Sequence, residues 1–289
     1  MMKPILLPLT VLFLLVSNAF TAEPLTGICP EGKMVQNIHF SGLEDTKPHV
    51  VERELLNATG KPFSNENFRA EKLKLESLDL FSNVLLICTE SGEGLNLEYR
   101  FTELWHWIPA PAGKKTDQDG WMLGLALAHL NVAGEDVRVE AQYRTSVDPL
   151  FDSKEFAIYA SSPWLWELPL SWNFEFLRTD SWDDLRNFED RSWFWHLEIG
   201  AKLWKDISLL WAPSYRYVQK YGAVPDLGVG MLLDARDSKV DPYLGAYEEF
   251  RVTRYGVFYA EVEDYIEYLW DNRLYFPVGR FITGASSLV

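Results

Sequence analysis

Residues 224–252 read VPDLGVGMLLDARDSKVDPYLGAYEEFRV, and their first half alternates large apolar residues with glycine or charged residues. A period of two predicts an extended strand with one apolar face and one small or polar face. Asp234 and Arg236 both fall on the polar face. A soluble β-sandwich would have to bury these charges, whereas a membrane barrel turns one face to lipid and the other to a polar lumen. Residues 238–241 then predict a turn, and Pro242 opens the return strand, where a missing N–H is tolerated.

The same alternation fills the chain from Gly120 onwards. Aromatic residues crowd the apolar face, and tryptophans near segment ends are typical of the interfacial girdles of a membrane barrel. A soluble β-sandwich also has alternating strands, but long strands with Arg and Glu repeated on the inner face favour an antiparallel transmembrane β-barrel. We predict about ten strands from this pattern. They are residues 121–128, 137–144, 156–161, 170–176, 193–202, 207–218, 227–236, 243–253, 258–270 and 274–283.

Composition separates a first third without tryptophan from an aromatic-rich remainder, since all 12 tryptophans follow residue 104. The formal charge of −15 argues against a nucleic-acid partner, because phosphate binding needs an accumulation of Lys and Arg. We therefore predict four segments. They are a signal peptide at residues 1–22, an α+β domain at 23–104, a linker or first barrel segment at 105–118, and a barrel, whole or partial, at 119–289.

The N-terminus has the pattern of a secretory signal. Lys3 precedes an apolar run at residues 5–16 and small residues at 17–19, and this run is too short to cross a bilayer as a helix. In an oxidising compartment Cys29 and Cys88 most simply form a structural disulfide, with two buried free thiols as the alternative. The five histidines have no metal-ligand spacing, so neither a metal nor a cofactor is predicted.

The first third predicts a small module in the order β-α-α-β-β. Residues 34–40 alternate as a strand, and residues 47–56 and 65–80 have the apolar spacing of helices, the second capped by Ser64. Residues 84–89 and 95–101 form two further strands around a glycine turn. The second helix is expected to direct four side chains to the core, namely Phe68, Leu73, Leu75 and Leu78.

Three stretches of this module resemble the polypeptide-transport-associated (POTRA) domain. They are IHFSG at residues 38–42, GKPFS at 60–64 and LDLFSNV at 78–84, and Glu103 closes the pattern. In such domains an exposed sheet edge takes up an extended client or partner segment by strand addition, and backbone hydrogen bonds supply the affinity. The resemblance implies that one strand forms this edge and pairs with clients. The alternative, equally open, is that this strand only contributes side chains to the core. Its residues are Val84, Leu85, Leu86 and Ile87.

The later part resembles the BamA-type surface-antigen family of the outer membrane. Asn131 and Gly134 match the Asn-apolar-x-Gly turn of the first barrel hairpin in that family. Residues 234–245 match its Asp-x-Arg-Asp…Pro-x-x-Gly element. Members insert or translocate proteins at the outer membrane, and their barrel opens between its first and last strands so that a client strand can pair there. The matching residues of the second element are Asp234, Arg236, Asp237, Pro242 and Gly245.

The resemblance implies a non-enzymatic factor of outer-membrane protein assembly or polypeptide translocation, with the POTRA-like module in the bacterial periplasm. Its implied partners are outer-membrane lipid and unfolded outer-membrane or secreted polypeptides. The sequence has no grouping of nucleophile, base and acid that suggests an enzyme, so no catalytic residue is predicted. The alternative is a small structural or pore-forming barrel that carries a periplasmic module.

The chain departs from the family pattern in two respects. Family barrels have about sixteen strands, whereas about ten are predicted here. The inward-folded Arg-Gly-Phe element of the family is also missing, since residues 279–281 read GRF. An open sheet would leave two edges unpaired in lipid, where each unsatisfied backbone group costs several kcal/mol. A self-closed narrow barrel, a second copy that completes the barrel and a truncated inactive relative all stay open. Asp234 and Arg236, two apart on one face, predict an ion pair in the lumen.

Overall fold

The computed structural model describes residues 29–117, 119–148, 151–183, 188–236, 242–257, 264–277 and 283–288, and for residues 183, 188–190 and 283–288 it describes the backbone alone. The predicted signal peptide at residues 1–22 and the motif residue Asp237 lie outside these ranges.

The small module, β1 to β3, has the predicted order β-α-α-β-β. Its sheet has the strand order β1-β3-β2, so that β3 is central and β1 and β2 are the two edges. β1 runs parallel to β3, whereas β2 forms an antiparallel hairpin with it. The elements are β1 Met34–Ser41, α1 Pro48–Glu52, α2 Asn65–Glu76, β2 Phe81–Ser91 and β3 Gly94–Glu103.

Both helices are shorter than the sequence predicts. Pro48 occupies the first turn of α1, where proline is tolerated. The helix ends at Glu52: Glu54 N and Leu55 N donate three residues back, to Val51 O and Glu52 O, and the N–H groups that follow donate to a side chain of α2. Ser64 caps α2 as expected, with its Oγ accepting from Asn67 N at 3.5 Å. After Glu76 the chain reverses through Asp79, whose φ of 57° is left-handed, and enters β2.

The buried face of α2 contains a carboxylate that periodicity does not reveal. Leu73, expected in the core, is 69% exposed, whereas Glu71 is fully buried. The Glu71 carboxylate accepts hydrogen bonds from Leu56 N, from Asn57 N and Nδ2, and from Tyr99 Oη at 2.7 Å. Burial and the neighbouring Glu71 carboxylate raise the pKa of Tyr99. Glu71 thus ties the loop after α1 to the central strand.

Eleven strands among the described residues form the barrel sheet, which we define as β4 to β14. Each strand is antiparallel to the next, and the hydrogen-bonded order runs from β14 to β4 in reverse chain order, with these two strands at its ends. The strands are β4 Trp107–Thr116, β5 Gly120–His129, β6 Arg138–Ser146, β7 Lys154–Ser162, β8 Leu170–Asp183, β9 Phe188–Lys202, β10 Ile207–Val218, β11 Gly222–Asp234, β12 Gly245–Tyr255, β13 Tyr265–Pro277 and β14 Thr283–Leu288.

The structure decides one open alternative of the predicted strand pattern and corrects one predicted break. β4 occupies the segment for which the sequence allowed either a linker or a strand. The break predicted between strands at 258–270 and 274–283 is wrong, because β13 continues from Tyr265 through Pro277 and β14 follows. Residues 258–263 and 278–282 of these predicted strands lie outside the described residues. The polar residues at 271–273, read as a break, instead belong to the strand: Asp271 lies 7% exposed on the inner face and pairs with Arg273.

One face of the barrel sheet is apolar and exposed. A cross-strand row joins Leu209, Met231, Phe250 and Trp270 on four neighbouring strands, and each of these side chains is about half exposed. This is the face that alternation assigned to lipid. No helix among the described residues has the length and apolar character needed to cross a membrane.

The opposite face is polar and concave. Lys114 of β4 pairs with Glu155 of β7, and Arg251 of β12 pairs with Glu198 of β9. Each pair joins strands three steps apart, a separation of about 14 Å in a flat sheet. Side chains bridge such a gap only where the sheet curves towards them, so this face is the inside of the curve.

We expect Glu71→Ala to release the loop after α1. The N–H groups of Leu56 and Asn57 lose their acceptor, so their protection against hydrogen exchange should fall by about tenfold or more, as expected for a lost buried hydrogen bond. Exchange measured by mass spectrometry on peptides covering residues 54–60 tests this. Glu66→Ala, which changes an exposed carboxylate on the same helix, is the control; equal exchange in the two variants would contradict the role of Glu71.

Candidate functional site at the junction and the free strand edges

The small module rests against the β5–β6 turn of the barrel sheet. Only residues 104–106 connect β3 to β4, and Leu104 N donates to Leu80 O at 2.9 Å. On the barrel side Leu130 N donates to His106 O at 3.0 Å, and Lys47 N donates to Gly134 O at 3.0 Å. A short connection with backbone bonds on both sides fixes the position of the module.

Asn131 and Gly134, predicted as motif residues of the first hairpin, both lie at this junction. Asn131 is buried; its Nδ2 donates to Thr46 Oγ1 at 2.8 Å and its Oδ1 accepts from Asp136 N at 2.8 Å. Gly134 has φ +74°, and a Cβ there would lie 2.2 Å from Asp45 O. The turn therefore needs glycine for its conformation and for its close approach to the small module.

Three pairs of ionisable side chains surround this backbone contact. Glu135 accepts from Lys47 Nζ at 2.5 Å and from His49 Nε2 at 2.7 Å, and its pKa is lowered, chiefly by the bond from Lys47. Arg53 Nη2 lies 3.1 Å from Asp136 Oδ2. Burial raises the pKa of Asp136 to about 6 in spite of Arg53, and burial also lowers the pKa of Arg53. For this last pair, desolvation outweighs mutual attraction.

A second turn of the barrel sheet adds to the junction. Trp164, between β7 and β8, donates from Nε1 to Glu54 at 3.3 Å, and the guanidinium of Arg53 lies 4.9 Å from the centroid of its ring. Arg138, at the start of β6, donates to Leu78 O at 2.7 Å. The small module is thus held by two turns of the barrel sheet, the one before β6 and the one after β7.

The junction also brings together three potential metal ligands. Asp45, Glu103 and His106 each place one ligand atom within 4.8 Å of the others, although the histidine spacing in the sequence predicts no such group. Glu103 already accepts from Asp45 N and Thr46 N, both at 3.0 Å. Burial opposes ionisation of Glu103, but these two bonds prevail and lower its pKa. Through these two bonds Glu103 holds the loop after β1 in place.

The predicted client-pairing strand is at an edge of its sheet. β2 pairs with β3 on one side. Val84 and Leu86 are buried in the core of the small module, while Leu85 and Ile87 are half-buried on the other face. Cys88 of this strand is joined by a disulfide to Cys29, with a Cα–Cα distance of 5.7 Å. The bond anchors the segment before β1 to the core side of β2.

The barrel sheet has a free edge of its own at β4. This strand pairs with β5 from Trp107 to Thr116 and ends the hydrogen-bonded order of the described strands. Since β4 directly follows the junction, its edge begins beside the small module. Residues 104–106 join β4 to β3, the strand that pairs with β2, so two edge strands suited to strand addition belong to sheets joined by three residues.

The described residues of the second predicted motif lie at the end of β11 and near the start of β12. Arg236 donates to both carboxylate oxygens of Asp234, at 2.7 and 2.9 Å, so the ion pair predicted between them is present. The Arg236 guanidinium also lies 4.9 Å from the ring of Tyr247. Gly245 has φ +127°, and a Cβ there would lie 2.3 Å from Ala235 O. Pro242 lies three residues before β12, and Ala235 N donates to Ala246 O at 2.9 Å, so these contacts join the end of β11 to the start of β12.

Comparison with known proteins shows the fold alone. No protein-family model matches the sequence, and no curated protein matches it either. Among solved structures, the crystal structure of BamA from Haemophilus ducreyi lacking POTRA domains 1–3 is similar with TM-score 0.64 and 13% identity over 86% of this chain and 52% of that one. CdiB from Escherichia coli is similar with TM-score 0.60 and 15% identity over 89% of this chain and 53% of that one. The chain thus spans about half the length of the structures it resembles.

We expect Gly134→Ala to loosen the junction, because its new Cβ would meet Asp45 O. With spin labels on Leu73 and Leu168, both exposed, the wild-type protein should give one narrow distance distribution by pulsed electron paramagnetic resonance, and the variant a broad one. Gly92→Ala is the matched control: Gly92 also has positive φ, but a Cβ there meets nothing within 4 Å. A distribution as narrow in Gly134→Ala as in the control would contradict the proposed contact.

We expect Arg236→Leu to lower the temperature at which the folded form is lost on gels. The change leaves the partly buried Asp234 carboxylate without its two-bond partner, a loss of about 1–3 kcal/mol. Arg178→Leu is the control, since Arg178 and Asp180 form the same two-apart pair at 3.2 Å but with the Arg178 side chain 60% exposed. Equal stability of the two variants would count against a structural role for the Arg236 pair.

Proposed function

We propose that this protein is a non-enzymatic factor of outer-membrane protein assembly or polypeptide translocation, related to the BamA-type surface-antigen family. One observation carries the proposal: a small module with an open sheet edge is fixed directly below the first strand of a barrel wall, which also ends in an open edge. A fold shared with BamA and CdiB supports it.

In this function the two edges bind clients through the backbone. An extended polypeptide adds to β2, where backbone bonds give affinity and the half-buried Leu85 and Ile87 give an apolar surface. The same segment, or the next one along the client, then pairs with β4. Backbone pairing suits a factor that accepts many sequences, because every non-proline residue offers one donor and one acceptor.

The apolar outer face supports a location in a lipid bilayer. Large side chains such as Leu125, Trp211 and Tyr268 remain exposed on it, which water would disfavour and lipid accommodates. We place the barrel sheet in the bacterial outer membrane and the small module, residues 23–104 in the predicted division, in the periplasm. A second copy of the chain is one way to cover the free edges when no client is bound.

The second candidate is a small pore. The polar concave face, with the pairs Lys114–Glu155 and Arg251–Glu198, would line a water-filled lumen in that case. A pore has no need of a module with an open strand edge. Ion conductance without any effect on client folding would therefore favour the pore.

The client-folding assay tests the proposal directly. Full-length protein is placed in lipid vesicles, and a urea-unfolded small outer-membrane barrel protein is added. We expect the client to acquire its heat-resistant gel mobility severalfold faster than with empty vesicles, because paired edges lower the cost of exposing backbone groups to lipid. Vesicles that contain heat-denatured protein are the control, and no acceleration over them would refute the assembly function.

A photo-crosslinking residue tests the β2 edge. Placed at Ile87, it should join the unfolded client; placed at Asn37 on β1, the other edge strand of the small sheet, it should give little product. β2 carries the apolar run VLLIC at residues 84–88, whereas β1 carries Gln and Asn. Equal crosslinking from both positions would contradict selective binding at β2.

A further inference from the structure

The edge strand β4 carries two prolines at alternate positions. Its pairing with β5 is unbroken from Trp107 to Thr116 and passes through Pro109 and Pro111. Within a strand, the N–H and C=O of one residue point to the same side, and successive residues alternate between the two sides. Since proline has no N–H, an unbroken ladder requires both proline nitrogens to face away from β5. The residues that face the free edge are therefore Trp107, Pro109, Pro111, Gly113 and Lys115.

This assignment divides the free edge into two halves. The near half, residues 107–111, starts beside the small module and offers one N–H, from Trp107, with three carbonyl groups. The far half, residues 113–116, offers both an N–H and a C=O at Gly113 and at Lys115. The loss of donors is thus confined to the end of the strand that follows the junction.

A strand added to this edge meets the two halves differently. A hydrogen-bonded antiparallel pair exchanges two bonds, but opposite a proline at most one forms, and the partner's carbonyl group keeps no donor. In lipid an unpaired carbonyl has no water to turn to. An added strand is therefore held along the far half and only loosely along the near half.

We propose that β4 is a divided edge, at which the far half pairs with an incoming extended polypeptide while Pro109 and Pro111 keep the near half open beside the small module. The identity of the incoming strand, a segment of an unfolded outer-membrane client, rests on the proposed function. The client then enters from the small-module side without becoming fixed there, and pairing is completed deeper along β4. A device that only prevents aggregation would block the edge along its whole length.

Photo-crosslinking from the two ends of β4 tests the division. A crosslinking residue replaces either Trp107 or Lys115, both exposed, in the full-length protein in vesicles. The probe is a proline-free peptide of about ten alternating apolar and polar residues, the length of a membrane strand. We expect product from position 115 to exceed product from position 107 by about tenfold, because a strand paired along the near half leaves the two carbonyl groups opposite Pro109 and Pro111 without donors. Equal yields from both positions would overturn the divided edge.

Two variants show that the prolines cause the difference. The double variant P109V/P111V restores both donors and should raise the yield at position 107 to that at 115; an unchanged yield would overturn the proposal. Gly113→Pro removes a far-half donor that faces away from β5, so it should leave the folded gel mobility intact and reduce the yield at position 115. An unchanged yield there, in a folded variant, would also overturn it.

The peptide assay tests the divided edge and the client-folding assay tests the assembly function, so one proposal can be refuted while the other stands. Crosslinking confined to position 115, together with no acceleration of client folding, would support the divided edge and refute the assembly function. Accelerated folding with equal crosslinking from 107 and 115 would support the assembly function and refute the divided edge.

Discussion

One constraint governs a sheet placed in lipid, as proposed for this one: each backbone N–H and C=O must find its partner within protein. The barrel sheet meets this constraint by antiparallel pairing of every described strand with its neighbours, up to β4 and β14 at the ends. The remaining unpaired groups are concentrated at these ends. The part of such a sheet that can bind another polypeptide is therefore its edge. The number of backbone donors and acceptors left free at the edge sets how tightly a strand is bound there.

Inner-face charges and outer-face apolar residues act together to shape the sheet. Lys114–Glu155 and Arg251–Glu198 reach across three strand steps and so hold the sheet in its curve. The outer rows, such as Leu209, Met231 and Phe250, gain nothing from one another in lipid beyond packing. Curvature is thus set largely from within, by polar side chains that a soluble protein would place on its surface.

The sequence predicts the two-part fold because each part has a clear period. Alternation identified the barrel strands, and it failed where glycine, proline or a polar run blurred it: at β4, whose residues 107–116 include two prolines, and at 271–273 within β13. In α2 the helical period placed Leu73 in the core, but Glu71 is buried there, because hydrogen bonds to the loop and to Tyr99 offset its burial. Motif residues such as Asn131 and Gly134 were found, but their contacts with the small module were not, since Thr46 and Asp45 lie more than eighty residues earlier.

The junction and the β4 edge have to be considered as one unit. A small module on a flexible linker would present β2 at many distances from the barrel wall, and each added degree of freedom lowers the effective concentration of one edge at the other. Here three connecting residues, the backbone bond from Lys47 to Gly134 and the Arg53–Trp164 stack remove most of that freedom. In the proposed function, a polypeptide that has left β2 would meet first the part of β4 that lacks donors. In this proposal the restricted junction and the weak pairing at the near half have complementary effects. The first raises the chance of transfer, and the second keeps the transferred segment from being held at the near half before it pairs along the far half.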